Sequence, residues 1–149
     1  SEYMPATIKY NYDFGDDWEV QEDFVLYEKI ISDRGSKYSV SIGRVESEAD
    51  IKSFLAQLKS KKKYLKATHN TYAARIREEG RITETKNDDG EAGAGQTILR
   101  VMEREGVVNA VICVTRWFGG VKLGGDRFRH VQDATKYALE AIRNTQHKN

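Results

Sequence analysis

A single cysteine, Cys113, leaves this 149-residue chain without an internal disulfide or a CxxC zinc site, and points to a reducing compartment. No apolar run approaches the ~20 residues that a membrane-spanning helix needs, and no secretory signal is visible at the N-terminus. Lysine and arginine number 24 against 23 acids, a formal net charge of +1, which excludes a chain that acts as a polycation throughout. Walker, GxSxG and HExxH motifs are absent. His69, His130 and His147 show no metal-ligand spacing. What remains is one globular domain of a size that buries roughly two-thirds of its unfolded surface. It is expected to be cytoplasmic, with no metal or cofactor.

The charge is unevenly placed. Residues 1–31 hold eight acids against Lys9 and Lys29, so the rest of the chain is net basic. Residues 1–23 therefore read as an acidic arm, and 24–149 as the domain. The arm either stays solvated or folds back to screen a basic face. Tyr3, Tyr10, Tyr12, Phe14 and Trp18 argue that part of it docks.

From Phe24 onward the periodicities are legible. Phe24–Ile31 and Lys37–Val45 predict a hairpin around the turn Asp33-Arg34-Gly35-Ser36. Ser47 and Asp50 resemble a capping box, followed by a helix with Ile51, Phe54, Leu55 and Leu58 on one stripe. Lys59, Lys61, Lys62 and Lys63 suit its C-terminal dipole. Thr68–Ile76 predicts a third strand, Arg77–Asp89 a polar loop, and Gly95–Glu105 a second helix stopped by Gly106. Val107–Thr115 is apolar on both faces, as a covered central strand is. A glycine loop leads to Asp126, a candidate cap for a last helix striped by Phe128, Val131, Thr135, Ala138, Leu139 and Ile142. The order β-β-α-β-α-β-α implies an α+β domain, a four-stranded mixed sheet with three helices packed on it.

Two glycine-bearing segments concentrate chemistry. In the first, Asp88, Asp89, Gly90 and Glu91 precede a helix. The acids either cap that helix and pair with a base such as Arg116, or join His69 around a cation. In the second, Arg116, Trp117, Phe118, Lys122, Arg127, Arg129 and His130 crowd around Gly119, Gly120 and Gly124, with Lys66 and His69 as possible neighbours. Arginine grips phosphate with paired hydrogen bonds, and bases stack on aromatic rings. The alternative is that the rings pack beneath the loop while the charges stay solvated. Cys113, inside the apolar strand, reads as an inert core thiol. An enzyme of hydrolase type would need Asp88, Glu91, His69 and Arg116 to converge in a pocket.

At these residues the sequence resembles the Impact/YigZ family. The matching stretches are Asp33-Arg34-Gly35-Ser36, Lys66-Ala67-Thr68-His69, Asp88-Asp89-Gly90-Glu91, and Val114-Thr115-Arg116-Trp117-Phe118-Gly119-Gly120 with Leu123-Gly124. Gly125-Asp126-Arg127-Phe128-Arg129-His130 looks more like the eukaryotic Impact version than the bacterial one. The resemblance implies the fold of ribosomal protein S5 domain 2. It also implies a regulator of translation under amino-acid starvation. Such proteins compete for the coactivator of the starvation-responsive initiation-factor kinase, and they associate with actin. The RWD domain of eukaryotic Impact proteins and the C-terminal ferredoxin-like domain of bacterial relatives have no counterpart in these residues. The expectation is a non-enzymatic binding module whose partner is the kinase coactivator or, alternatively, RNA or the ribosome, and not a membrane.

Overall fold

In the computed structural model, which describes residues 17–148, the chain runs β1 (Trp18–Glu19), β2 (Val25–Asp33), β3 (Ser36–Arg44), α1 (Glu48–Lys59), α2 (Lys62–Leu65), β4 (His69–Glu78), β5 (Arg81–Asn87), α3 (Ala94–Glu105), β6 (Val107–Val108), β7 (Ala110–Trp117) and α4 (Asp126–Lys148). Tyr3, Tyr10, Tyr12 and Phe14 lie outside the described residues. The main sheet has the order β2-β3-β7-β4-β5 with every neighbouring pair antiparallel, and β1 and β6 form a separate parallel pair. The α+β class stands. The four-stranded mixed sheet with three helices is corrected to five antiparallel strands, the β1–β6 pair and four helices among the described residues.

The extra strand is β5, inside the segment expected to be a polar loop. Ile82 is its sole buried side chain, because β5 is an edge strand with one covered face. Charged and polar side chains along such an edge discourage pairing with other chains. Glu79 and Gly80 reverse the chain between β4 and β5, both at positive φ (50° and 77°).

Strand alternation divides the core into two layers. Tyr38, Val40, Ile42, Ala73, Ile112 and Val114 face α3 and α4, against Ile98, Met102, Val131, Ala138 and Ile142. Ala74, Ile76, Val111 and Cys113 face the other way, against Ile51, Phe54, Leu58 and Tyr64 of α1 and α2. Each fully buried aliphatic side chain contributes about 1.5–3 kcal/mol. Ser47 caps α1, its side chain accepting from Asp50 N–H at 3.1 Å. The Asp50 carboxylate accepts from Glu46 N–H at 2.8 Å, one residue upstream of the box geometry. None of the helices is long and apolar enough to cross a membrane, among the described residues.

The described end of the arm is packed on the domain. Trp18 donates its backbone N–H to Gly106 O at 3.0 Å and its indole N–H to Glu105 O at 2.9 Å. Val20 is fully buried, and Glu19 meets Arg44 at 2.7 Å. Packing therefore reaches upstream of Phe24.

One buried cluster makes folding sensitive to pH. Arg75, only 2% exposed, donates to Glu84 at 3.1 Å and to Val107 O at 3.0 Å. Burial, reinforced by the neighbouring Glu84 carboxyl, pushes the Glu103 carboxyl up to about 7. Its pKa is higher folded than unfolded, so between pH about 4.5 and about 7 the native state holds the extra proton. Stability contributed by that proton is complete below this window and is lost as pH rises through it. The urea midpoint should fall across the window, and Glu103→Gln should flatten that fall and raise the midpoint at pH 8. An equally steep fall in the variant would remove Glu103 as its source.

Candidate functional site

The sheet end formed by β7 carries the richest chemistry. Arg116 lies between Tyr38 on β3 and His69 on β4 in register. Successive strand residues point to opposite faces, so Arg116 and Trp117, adjacent in sequence, serve different layers. Arg116 turns toward α3 and α4. Trp117 turns toward α2, packing edge-on against Tyr64 at 5.0 Å and donating its indole N–H to Lys63 O at 3.0 Å. Lys29 Nζ lies 5.9 Å from its ring centroid. Arg116 and Trp117, grouped together with Phe118 from the sequence, are thus placed by this alternation on opposite faces of the sheet.

On the α3–α4 side, Glu91 organises the site. It is 4% exposed and accepts from Arg116 Nη1 at 3.0 Å and from Arg127 Nη1 at 3.3 Å. His69 Nε2 stands 4.0 Å from the same carboxylate, and its Nδ1 meets Asp89 O at 2.8 Å. Asp88 holds the entry to α3, accepting from Gly93 N–H at 3.0 Å and Gly95 N–H at 2.8 Å. Asp89 takes a different role from the helix cap expected of it. Its carboxylate accepts from Asn70 N–H at 2.7 Å, tying the α3 entry to β4. The four groups that a hydrolase-type centre would need are thus close together, but Asp88, Glu91 and Arg116 each face a protein partner. Among the described residues no group of three or more His, Cys, Asp and Glu side chains is placed to hold a metal ion.

Three further bases beside the glycine loop are also paired. His130 Nε2 meets Asp33 at 2.7 Å, Arg129 meets Asp126 at 3.2 Å, and Arg34 meets Asp126 at 2.6 Å. The Arg34 guanidinium, with His130, holds the Asp33 carboxyl down at about 2. Asp126 lies inside the first turn of α4, with its carboxylate on Arg34 and Arg129 rather than capping the helix. The turn before β3 is pressed against the loop. Gly119 N–H donates to Ser36 Oγ at 3.1 Å, and a Cβ at Gly119 would lie 2.1 Å from the Gly35 carbonyl carbon. Cys113 is fully buried, and that burial pushes its thiol up to about 12, the inert state expected of it.

What protrudes is apolar. Phe118 and Val121 are each 48% exposed, and Leu65 at the end of α2 is 61% exposed. Phe118 N–H donates to Thr68 Oγ1 at 2.9 Å, and Arg116 lies 5.7 Å from its ring centroid, so the ring stands on a fixed base. Lys66 and Lys122 are exposed nearby and form no ion pair among the described residues. Gly120 and Gly124 turn the loop at positive φ (94° and 56°), and Gly90 does so beside His69 (86°). Leu65 and Val121 gave no sequence signal, one falling outside the α1 stripe and the other inside a glycine run. Asn70 gave none either, though it joins Thr115 and Tyr64 by buried hydrogen bonds of 2.7 and 2.9 Å.

The profile of the Impact N-terminal domain matches residues 34–139. A stretch of 110 residues, 73% of this chain, is 42% identical to the Protein IMPACT homolog of Dictyostelium discoideum and covers 32% of that protein. Protein IMPACT of Rattus norvegicus is 40% identical over 111 residues, 73% of this chain and 35% of the rat protein. Among solved structures, the two-domain translational regulator Yih1 superposes with a TM-score of 0.55 at 33% identity, covering 82% of this chain and 48% of that one. The chain spans about a third to a half of the length of these relatives.

Proposed function

The chain belongs to the Impact family, and from that premise we propose that it is a non-enzymatic binding module that regulates translation through protein–protein contacts. Its finer role is in amino-acid starvation, and its partner is the coactivator of the initiation-factor kinase. The observation that carries this reading is the pairing of the loop's arginines and of His130, with Lys122 the exception. Arg116, Arg127, Arg129 and His130 already face carboxylates, while Phe118 and Val121 stand out beside them. A polyanion would have to break those pairs, whereas a protein surface with an apolar recess would not. Exposed aromatic anchors at a rigid position are also the usual source of interface energy. Glu91 and Arg116, 4% and 5% exposed, are closed to a substrate, which supports a role without catalysis.

The reading is tested by capturing the coactivator with the full chain and with Phe118→Ala/Val121→Asp. Capture should fall at least about tenfold, the order of one truncated anchor, with the melting temperature unchanged. RNA or ribosome binding is the competing reading, carried by exposed Lys61, Lys62 and Lys66 at α2. Nuclease-sensitive capture, with log affinity falling by about 0.7 per phosphate contact against log salt, would favour it instead.

A further inference from the structure

Away from the Phe118 rim, α3 and α4 leave an open groove of about 590 Å³. Val101 and Phe128 supply its apolar floor, Gln96 and Gln132 its amides, and Arg100 and Arg104 its charge. Both arginines are exposed, and neither forms an ion pair among the described residues. This sets them apart from Arg116, Arg127 and Arg129, each of which faces a carboxylate. No carboxylate lines the groove among the described residues. Glu103, the neighbouring acid on α3, hydrogen-bonds with Glu84 and feels the charge of Arg100 without forming a salt bridge to it. The result is a cationic trough in a chain whose formal net charge is only +1.

Spacing narrows the occupant. Arg100 and Arg104, one helical turn apart, sit about 6 Å from each other along α3. In an extended peptide, alternate side chains on one face are about 6.8 Å apart, so an acid-x-acid segment places its two carboxylates opposite the two guanidiniums. Beyond Arg100 the groove runs toward Gly93, where the Phe128 ring crosses so closely that a Cβ at Gly93 would lie 3.0 Å from it. A third side chain on the same face of the peptide would meet that ring, and an apolar one fits it.

We propose that the α3–α4 groove docks an extended acidic segment of a partner protein with the pattern acid-x-acid-x-apolar. The site is separate from the Phe118 rim, and its contacts are the guanidiniums of Arg100 and Arg104 and the exposed part of the Phe128 ring.

The test follows the fluorescence anisotropy of a labelled Gly-Asp-Ser-Glu-Ser-Phe-Gly peptide added to the full chain. The peptide should bind, and a Lys-for-acid version should not. Arg100→Glu/Arg104→Glu should weaken binding by about tenfold or more at an unchanged melting temperature, and Phe128→Leu should weaken it less. Lys62→Glu/Lys66→Glu and Phe118→Ala should leave it intact, which separates this site from the rim. Failure of the acidic peptide to bind, or equal loss in the Lys62/Lys66 variant, would overturn the assignment. So would tighter binding of an oligouridylate through the same two arginines. The full chain carrying Glu2→Gln, Asp13→Asn and Asp16→Asn should bind no more tightly than the parent. A tenfold gain there would make the chain's own upstream residues the occupant and would also overturn it.

Discussion

Glu91→Ala should lower the unfolding free energy by about 3–5 kcal/mol, because it leaves the Arg116 guanidinium buried without its carboxylate. Arg116 is 5% exposed, so bulk solvent is poorly placed to replace the lost partner. Arg127, which reaches the same carboxylate from α4, would be freed toward solvent and add little to the loss. In a domain of this size that loss lowers the melting temperature by roughly 10 °C. The double variant Glu91→Leu/Arg116→Met removes both charges and should recover most of the stability, since replacing a buried pair by apolar groups is often near neutral. Urea unfolding of Glu91→Leu, Arg116→Met and the double variant measures the coupling directly. If Glu91→Ala unfolds like the parent, the pair does not bear on the stability of the sheet end.

The second large effect is expected at Gly119. An alanine Cβ there would fall 2.1 Å from the Gly35 carbonyl carbon and 2.4 Å from Ser36 N. These neighbours are backbone atoms, so the β2–β3 turn and the loop must separate for the methyl group to fit. Overpacking of this kind costs about 3 kcal/mol. The separation would also break the bond from Gly119 N–H to Ser36 Oγ and tilt Phe118 away from its base on Thr68. Gly119→Ala should therefore lose both stability and coactivator capture, whereas Phe118→Ala should lose capture alone. If Gly119→Ala captured normally, the rim would not need its present mounting.

Parts of this structure were legible from periodicity alone. The apolar run expected to be one strand over Val107–Thr115 is divided at Asn109: Ala110–Thr115 lies in the central strand β7 with helices on each side, whereas Val107 and Val108 form β6 and pair with β1. The Ile51, Phe54, Leu58 stripe of α1 is buried where its spacing put it. β5 was hidden because an edge strand with one covered face needs few apolar residues, and Ile82 was the sole signal. The bulge in β2 was equally silent. Lys29 adopts a positive φ of 49° there, held by its N–H bond to Ser39 Oγ at 2.8 Å, and neither feature follows from residue type.

At the site, the residue types were informative but their partners were not. Glu91 was foreseen as a mate for Arg116, yet that it also takes Arg127 depends on how α4 packs against α3. Asp33 and His130 lie 97 positions apart and meet only because the β2–β3 turn folds over the start of α4. Local sequence carries no record of such long-range encounters. It therefore overstated the cationic character of the loop.

The opposite-facing pair at the end of β7 has a consequence for how related sequences are interpreted. Arg116 locks to the α3 entry on one side of the sheet and Trp117 to α2 on the other, so the two act as a rivet driven through the sheet. A chain that carries this dipeptide in this setting advertises that its two layers can be clamped together. On the function proposed above, what such a chain recognises is written in the side chains beyond the rivet, at Phe118 and Val121, which can be exchanged without loosening the clamp.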